Sequence, residues 1–193
     1  CGANVPLADA NAKTVFCDHC GQPLIVMPAG MKAKGRKAAL ADTPSVVSIG
    51  DKVSIRGRAY EVSGRVQYSF EEGLFDHFYL YGEVPCWLEQ DEGEFRRYDS
   101  IIAAPDVPAW DDVGIGATFP VAGGSFYPME FGEGSVVGGA GALPMVLLPG
   151  EAFHYIDGTW QGEAASLRYS AAGVFLLQGQ TLSAADIRVG GAS

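Results

Sequence analysis

Residues 52–63, with the sequence KVSIRGRAYEVS, contain the pattern that decides the fold. Polar and apolar side chains alternate through residues 52–56 and again through 58–63, and Gly57 lies between the two runs. Strict alternation is typical of β-strands with one buried face, and a glycine between two such runs favours a tight turn. The stretch therefore predicts a hairpin of two half-buried strands.

The same pattern occurs again 66 residues further along the chain, where residues 115–126 align with residues 49–60. Both segments read Ile-Gly, then two apolar positions in alternation, then a glycine, then an aromatic residue three positions later. A repeated pattern predicts a repeated local structure, because the register of a strand fixes which of its side chains face inward. We therefore predict equivalent hairpin turns at Gly57 and Gly123, each followed by an inward-facing aromatic side chain.

The chain from Val46 onwards is β-like throughout. Alternating or aromatic runs are separated by glycines and other turn residues, and no segment has a convincing helical period of 3.6 residues. The sequence predicts an all-β fold of two duplicated small barrel or sandwich units, at residues 46–105 and 106–193. A partial zinc ribbon at residues 1–28 and a linker at 29–45 are expected to precede them.

Cysteines near the N-terminus carry the strongest chemical signal. Cys17 and Cys20 form a C-x-x-C-G hook, and Cys1 is also followed by glycine. Two such hooks bind zinc through four thiolates in structural sites, so Cys1, Cys17 and Cys20 are predicted zinc ligands. Because the chain does not begin with Met, we expect the missing fourth ligand to lie upstream of Cys1. His19, between the hook cysteines, is expected to be exposed and not to bind the metal.

A second interpretation of these cysteines stays open. In it the protein is a lipoprotein whose mature chain begins at Cys1, and Cys17 and Cys20 form a disulfide or redox pair. The symmetry of the two Cys-Gly hooks favours zinc instead. Four cysteines in 193 residues are too few for a disulfide scaffold, which favours a metal site in a reducing, cytoplasmic compartment. Cys86, within an apolar stretch, is expected to be a buried small hydrophobe.

Charge is unevenly distributed along the chain. Residues 1–66 hold nine basic and five acidic side chains, a net of +4, whereas residues 67–193 hold four basic and eighteen acidic ones, a net of -14. Such an acidic body argues against nucleic-acid binding, and it predicts either a solvated surface or attraction for a cationic ligand or basic protein. No apolar run approaches the ~20 residues of a membrane helix. The acidic residues expected to contribute to such a surface are Glu71, Glu72, Asp76, Glu89, Asp91, Glu92 and Glu94.

Histidines and carboxylates offer one further candidate site. Asp76 precedes His77, and His154 lies three residues before Asp157, so an acid–base or metal pair could be assembled across the two units. Strand positions an odd number of residues apart point to opposite faces, which argues against either pair acting together. No nucleophile signature or phosphate loop is recognisable, and the glycine-rich segment 132–141 favours a hairpin or mobile loop.

Large aromatic side chains could form a recognition surface, although such residues more often fill a core. The residues concerned are Trp87, Trp110, Tyr155 and Trp160.

Several motifs of the β region, in this order and spacing, are shared with a known family. They are Ile49–Asp51, Arg56–Arg65, Phe78–Leu80, Trp87–Glu89, Glu92–Gly93, Gly141–Pro144, Tyr155–Asp157 and Gln178–Gly179. Through them residues 46–189 resemble the bacterial family catalogued as domain of unknown function 4178. The resemblance implies a duplicated, β-rich, non-catalytic module behind a zinc ribbon, associated with polyamine-synthase-like and membrane-stress proteins. The chain departs from the family pattern at the ribbon, where the first ligand is absent.

These observations together predict a cytoplasmic, non-enzymatic binding or scaffold module with a protein partner of basic character. The alternative is an enzyme, or a subunit of one, that acts on a small cationic metabolite such as a polyamine through the acidic second half. An exposed aromatic patch and the absence of a convergent polar pocket would favour the binding module. A deep pocket with at least two carboxylates and a histidine would favour the enzyme.

Overall fold

The structure is a computed structural model, and it describes residues 1–7, 9–71 and 73–190. Almost all regular structure in this part of the chain is β, as the sequence predicts, with two single-turn 3-10 helices at Trp110–Asp112 and Ala184–Asp186. None of the described helices is long and apolar enough to cross a membrane. The strands are β1 Thr14–Phe16, β2 Pro23–Met27, β3 Gly30–Ala33, β4 Lys52–Ile55, β5 Arg58–Phe70, β6 Gly73–Tyr81, β7 Cys86–Asp91, β8 Glu94–Ala103, β9 Phe119–Val121, β10 Gly124–Leu143, β11 Ala152–Trp160, β12 Glu163–Ser170, β13 Gly173–Leu182 and β14 Ile187–Gly190.

Eight of these strands close into an antiparallel barrel. Their order is β5-β6-β7-β8-β13-β12-β11-β10, and β10 pairs back onto β5. Each of the two predicted units contributes four consecutive strands, β5–β8 from the first and β10–β13 from the second, so the duplicated halves build one barrel. An eight-stranded barrel has an interior just wide enough to be filled by side chains or to hold one small ligand.

The two repeated hairpins have the same geometry. The turns at Arg56–Gly57 and Ala122–Gly123 have φ values of 48° and 81° in the first and 46° and 78° in the second. Positive φ at both central residues is the type I′ turn, whose twist matches that of the flanking strands. The aromatic residues three positions after the glycines, Tyr60 and Phe126, are both buried. The predicted equivalence of the two hairpins is therefore confirmed.

Three large apolar cores hold the described part of the molecule together, and a smaller one packs Ala12 and Val15 against Ala142. The largest fills the barrel and takes side chains from both halves, among them Tyr68, Phe75 and Phe153. A second core lies on the other face of β5–β8, beneath β4 and β14, and a third lies on the other face of β10–β13, beneath β9. A β-bulge between Val62 and Gly64 changes which face of β5 its side chains occupy. As a result Val62, before the bulge, packs in the second core, and Val66, after it, packs in the barrel core.

The N-terminal segment is attached to the barrel through β1, which pairs with both β10 and β2. β1 and β2 lie on either side of the hook formed by Cys17 and Cys20. Phe16 at the end of β1 inserts into the barrel core, where its ring lies 2.5 Å from the position a Cβ would take at Gly139. A side chain at position 139 would displace this ring, so the glycine lets the ribbon dock.

Residues 29–45, predicted as a linker, contain β3 and a strap that lies against β5 and β6. The Ala41 N–H donates to Gln67 Oε1 at 2.7 Å, and Thr43 Oγ1 donates to Asp76 Oδ2 at 2.6 Å. These hydrogen bonds fix the path of the segment from the ribbon to β4. The predicted domain boundaries themselves stay a prediction.

Candidate metal centre and binding pocket

The three predicted ligands Cys1, Cys17 and Cys20 lie together in the structure. Their Sγ atoms are all within 4.8 Å of one another, and those of Cys1 and Cys17 are 3.7 Å apart. Tetrahedral zinc with bonds of about 2.3 Å places its sulfur ligands roughly 3.8 Å apart. The cluster therefore has the dimensions to bind a metal ion. His19 is exposed and outside the cluster, as predicted.

The hook around the cysteines is a tight turn. The N–H groups of Cys20 and Gly21 both donate to the Cys17 carbonyl oxygen, at 3.2 and 2.8 Å. Gly21 has φ 69°, and Gly2 after Cys1 has φ 78°, so the two Cys-Gly steps share a left-handed conformation that favours glycine. A hydrogen bond from the Gln22 backbone lowers the pKa of the Cys20 thiol, which favours the thiolate that a metal requires.

Cys86 lies far from this cluster, in the core beneath β4 and β14. It is 2% exposed, and burial raises the pKa of its thiol to about 11. This burial confirms the prediction of a buried small hydrophobe, and the raised pKa disfavours the thiolate that nucleophilic attack or metal binding requires.

Inside the barrel the structure places a polar cluster centred on Glu89. His77 Nε2 donates to Glu89 Oε2 at 2.6 Å, and Arg96 Nη1 donates to Oε1 at 3.2 Å. The Tyr98 hydroxyl lies 3.3 Å from both carboxylate oxygens, and Arg168 Nη2 lies 3.5 Å from Oε2. These five residues form the Glu89 cluster, which joins β6, β7 and β8 of the first half to β12 of the second.

Glu89 is ionised in this setting. Burial raises the pKa of its carboxyl group. The hydrogen bond from His77 and the charges of Arg168 and Arg96 more than offset this rise and bring the pKa down to about 2. Burial lowers the pKa of His77, so its ring is neutral near pH 7 and donates Nε2–H to the carboxylate. The charge of Glu89 is therefore balanced by the two arginines.

Arg168 is held in place by aromatic rings. Its guanidinium carbon lies 5.1 to 5.9 Å from the ring centroids of Tyr68, Phe75, Phe153 and Tyr155. At this range the ring faces attract a cation, which offsets part of the cost of burying it. The rings and Glu89 together fix the orientation of the guanidinium.

A cavity of about 80 Å³ opens beside the Glu89 cluster. Four carboxylates line it, from Glu89, Asp91, Glu130 and Asp157, together with the two arginines of the cluster and three aromatic rings. We call this cavity the Glu89 pocket.

Two carboxylate oxygens of the Glu89 pocket have no hydrogen-bond partner. They are Oδ1 of Asp91 and Oδ1 of Asp157, both shielded from solvent. Burial raises the pKa of Asp157, and burial together with the charges of Glu89 and Glu92 raises the pKa of Asp91 to about 6. Buried oxygens are costly to leave unpaired. The Asp157 carboxylate is partly compensated by the Ser166 side chain and by Arg96, whose Nη1 lies 3.7 Å from Oδ2.

The pairs Asp76–His77 and His154–Asp157 do diverge to opposite faces, as strand phase predicts. The Asp76 side chain points away from the barrel interior, and its Oδ1 lies 2.8 Å from Arg65 Nε. The His77 side chain points into the interior, where it contacts Glu89. His154 stacks on Trp110 with ring centroids 4.4 Å apart, while Asp157 lines the Glu89 pocket. The closed barrel nevertheless links His77 and Asp157 indirectly. Glu89 contacts both His77 and Arg96, and Arg96 Nη1 lies 3.7 Å from Asp157 Oδ2.

The roles of Glu89, Arg96 and Arg168 are not predicted by the sequence. A usable signal was present at Arg168, which is the one charged residue in the segment 164–169. A lone charge within a run of uncharged strand residues either faces solvent or enters a polar interior, and here it enters the barrel.

Two members of the predicted acidic surface are buried instead, so that prediction is wrong for them. Asp76 is 2% exposed and paired with Arg65, and Glu89 is 4% exposed within its cluster. Glu71, Glu92 and Glu94 are exposed. Glu72 lies outside the described residues. The basic protein partner stays a prediction.

The aromatic residues considered for a recognition surface belong mostly to the cores. Trp87 and Trp160 are 6% and 7% exposed, and Trp110 and Tyr155 are half-buried. Trp160 donates from Nε1 to the Val121 carbonyl oxygen at 2.8 Å, which fastens β11 to β9. This group of four residues therefore does not supply an exposed aromatic patch.

No family model matches the chain, and neither a curated protein nor a solved structure is similar to it. The resemblance of residues 46–189 to the family of unknown function therefore stays a prediction.

Acidification is expected to destabilise the protein through Glu89. Its folded-state pKa of about 2 lies below the ordinary 4.5, so its stabilising contribution is fully present above pH 4.5 and is lost as the pH falls through 2. The free energy of unfolding should therefore fall more steeply between about pH 5 and about pH 2.5 for the wild type than for Glu89→Gln. Urea unfolding at both pH values measures this difference, and equal losses would contradict it.

Proposed function

We propose that this protein is a non-enzymatic binding module. Its barrel holds a small polar ligand in the Glu89 pocket, and its N-terminal cysteines bind a structural zinc ion. The observation that carries the proposal is the set of buried, mutually oriented charges beside an open cavity. All-thiolate zinc sites are structural, and they suit a reducing compartment such as the cytoplasm.

The energetic cost of the Glu89 cluster supports a binding role. Buried ion pairs rarely stabilise a fold more than apolar side chains of the same volume would, because both charges must be desolvated. The apolar cores already hold this protein together. A desolvated constellation with shifted pKa values beside a cavity is a common mark of a functional site.

Binding is favoured over catalysis by the position of the histidine. His77 does not line the Glu89 pocket, and its Nε2 is engaged by Glu89. Glu89, with a pKa of about 2, is a weak base. The alternative, an enzyme acting on a small cationic metabolite, is supported by the four carboxylates and by Asp91, whose pKa of about 6 suits proton transfer.

A nuclear magnetic resonance screen of the full chain tests this proposal. A library of anionic, neutral and cationic metabolites should contain compounds that cause saturable chemical-shift changes at residues lining the Glu89 pocket. The variant Asp157→Leu places an apolar side chain at the pocket wall and should lose these changes, whereas Asp106→Leu, at an exposed position, should keep them. A library that perturbs no pocket residue, or perturbs both variants equally, would overturn the proposal.

A further inference from the structure

We infer that metal binding at the N-terminal cysteines controls the packing around the Glu89 pocket, because it fixes the Phe16 ring inside the barrel core. This inference rests on the metal binding of the proposed function and adds a regulatory link between its two sites. Three observations carry it. Phe16 directly precedes the buried ligand Cys17, its ring has a seat on β10, and it shares a core with the rings that surround Arg168.

The chain leaves Phe16 little freedom once Cys17 is fixed. The two residues are adjacent, and only 2% and 4% of their surfaces are exposed. Consecutive Cα atoms are about 3.8 Å apart across a trans peptide, so a metal ion that holds the Cys17 thiolate also holds the backbone beside the ring. The Cys17 N–H also donates to the Gln22 carbonyl oxygen at 3.0 Å, which joins the two ends of the hook.

Two consecutive glycines of β10 accept the groups that hold the hook. A Cβ at Gly139 would lie 2.5 Å from Phe16 Cε2, and a Cβ at Gly138 would lie 2.7 Å from Ala38 Cβ. The Ala38 N–H in turn donates to the Gly21 carbonyl oxygen of the hook at 2.8 Å. Binding of a structural metal supplies folding free energy to such a small segment. Removal of the metal therefore loosens the hook and, with it, the ring in its seat.

The ring of Phe16 and the wall of the Glu89 pocket belong to one core. Phe16 packs in the same cluster as Tyr68, Phe75 and Phe153. These three rings lie 5.1 to 5.7 Å from the guanidinium carbon of Arg168. Both Phe75 and Arg168 line the pocket. Protein interiors are close-packed, so the neighbours of a withdrawn phenyl ring must move to fill its space, and here that movement changes the packing around Arg168.

Zinc titration of the metal-free full chain, followed by nuclear magnetic resonance, tests this link. In the wild type, zinc should shift the Arg168 Nε–H signal and the signals of the rings around it, until about one equivalent per chain is bound. In Phe16→Leu, whose shorter side chain does not fill the seat, these shifts should be less than about half as large. The matched control is Val15→Ala, which trims the neighbouring residue of β1 in the small core outside the barrel and should retain the shifts.

A measurement of zinc affinity tests the same link in the reverse direction. A coupling free energy is reciprocal, so a change that opposes insertion of the ring must also weaken zinc binding. Gly139→Ala, which places a Cβ against the ring and changes no ligand, should weaken zinc binding at least about fivefold. Gly114→Ala, where nothing lies within 4 Å of an added Cβ, should leave the affinity unchanged.

The outcomes separate this inference from the proposed function. Zinc binding without a change in the pocket signals, or equal zinc affinity of Gly139→Ala and wild type, would overturn the inference and leave metal binding standing. Equal shifts in Phe16→Leu and wild type would overturn the role of the ring. If zinc does not bind to the full chain, the inference and the metal site of the proposed function both fail.

Discussion

Replacing Arg168 with methionine is expected to lower the free energy of unfolding by about 3–5 kcal/mol. Methionine fills a similar volume inside the ring of aromatic side chains, but it removes the cation that faces Glu89 Oε2 at 3.5 Å. The Glu89 carboxylate is then left buried with reduced compensation. Urea unfolding measures the change, and a loss below about 1 kcal/mol would show that Arg96 and His77 alone satisfy Glu89.

Two further variants test whether this loss of stability comes from the unpaired Glu89 carboxylate. Arg188→Met changes an exposed arginine on β14 and should cost no more than about 0.5 kcal/mol. The double variant Arg168→Met with Glu89→Met removes both charges and should recover part of the loss, because a buried pair costs most when one partner remains. A double variant less stable than Arg168→Met alone would contradict the proposed cost of the cluster.

Substituting Cys17 with alanine is expected to weaken zinc binding by at least about 100-fold, since the loss of a ligand exceeds the 10- to 100-fold cost of losing an outer partner. Cys17 is the buried member of the cluster, and its Sγ lies 3.7 Å from that of Cys1. Competition with a colorimetric zinc chelator measures the affinity. Hydrogen exchange at β1 and β2 should accelerate in the variant, because metal binding and ribbon order are coupled.

Cys86→Ala is the matched control, because it removes a cysteine thiol from a core remote from the hook. Its zinc affinity should equal that of the wild type even if its stability falls. Equal zinc affinity of Cys17→Ala and Cys86→Ala would exclude the N-terminal cysteines as the metal site. A disulfide between Cys17 and Cys20 in the purified protein, without zinc, would favour the redox interpretation instead.

Local features of the fold could be predicted because they are recorded in short stretches of sequence. The type I′ turns follow from the glycines at positions 57 and 123, and the strands around the hook follow from the apolar residues beside Cys17 and Cys20. The closure of the barrel could not be predicted. It depends on pairs such as Ser69 with Ser135, which are 66 positions apart and have side chains that do not identify each other as partners.

The Glu89 cluster could not be predicted from the sequence for a different reason. Residues 75–80 of β6 are all buried, because one face lines the barrel and the other packs under β4 and β14. In such a strand hydrophobic alternation vanishes, so it cannot show which face a polar residue takes. The bulge after Val62 adds a change of phase, and Tyr60 and Val66 consequently enter different cores although they are six positions apart.

The barrel is closed by two seams that each join one half to the other, β5 to β10 and β8 to β13. A half on its own would therefore present two strand edges with rows of unpaired backbone groups, the arrangement most prone to edge-to-edge aggregation. Hairpins within each half connect neighbours in sequence, but both seams require distant strands to meet, at a larger cost in chain entropy. The duplicated halves thus depend on each other for solubility during folding as well as for the shared pocket afterwards.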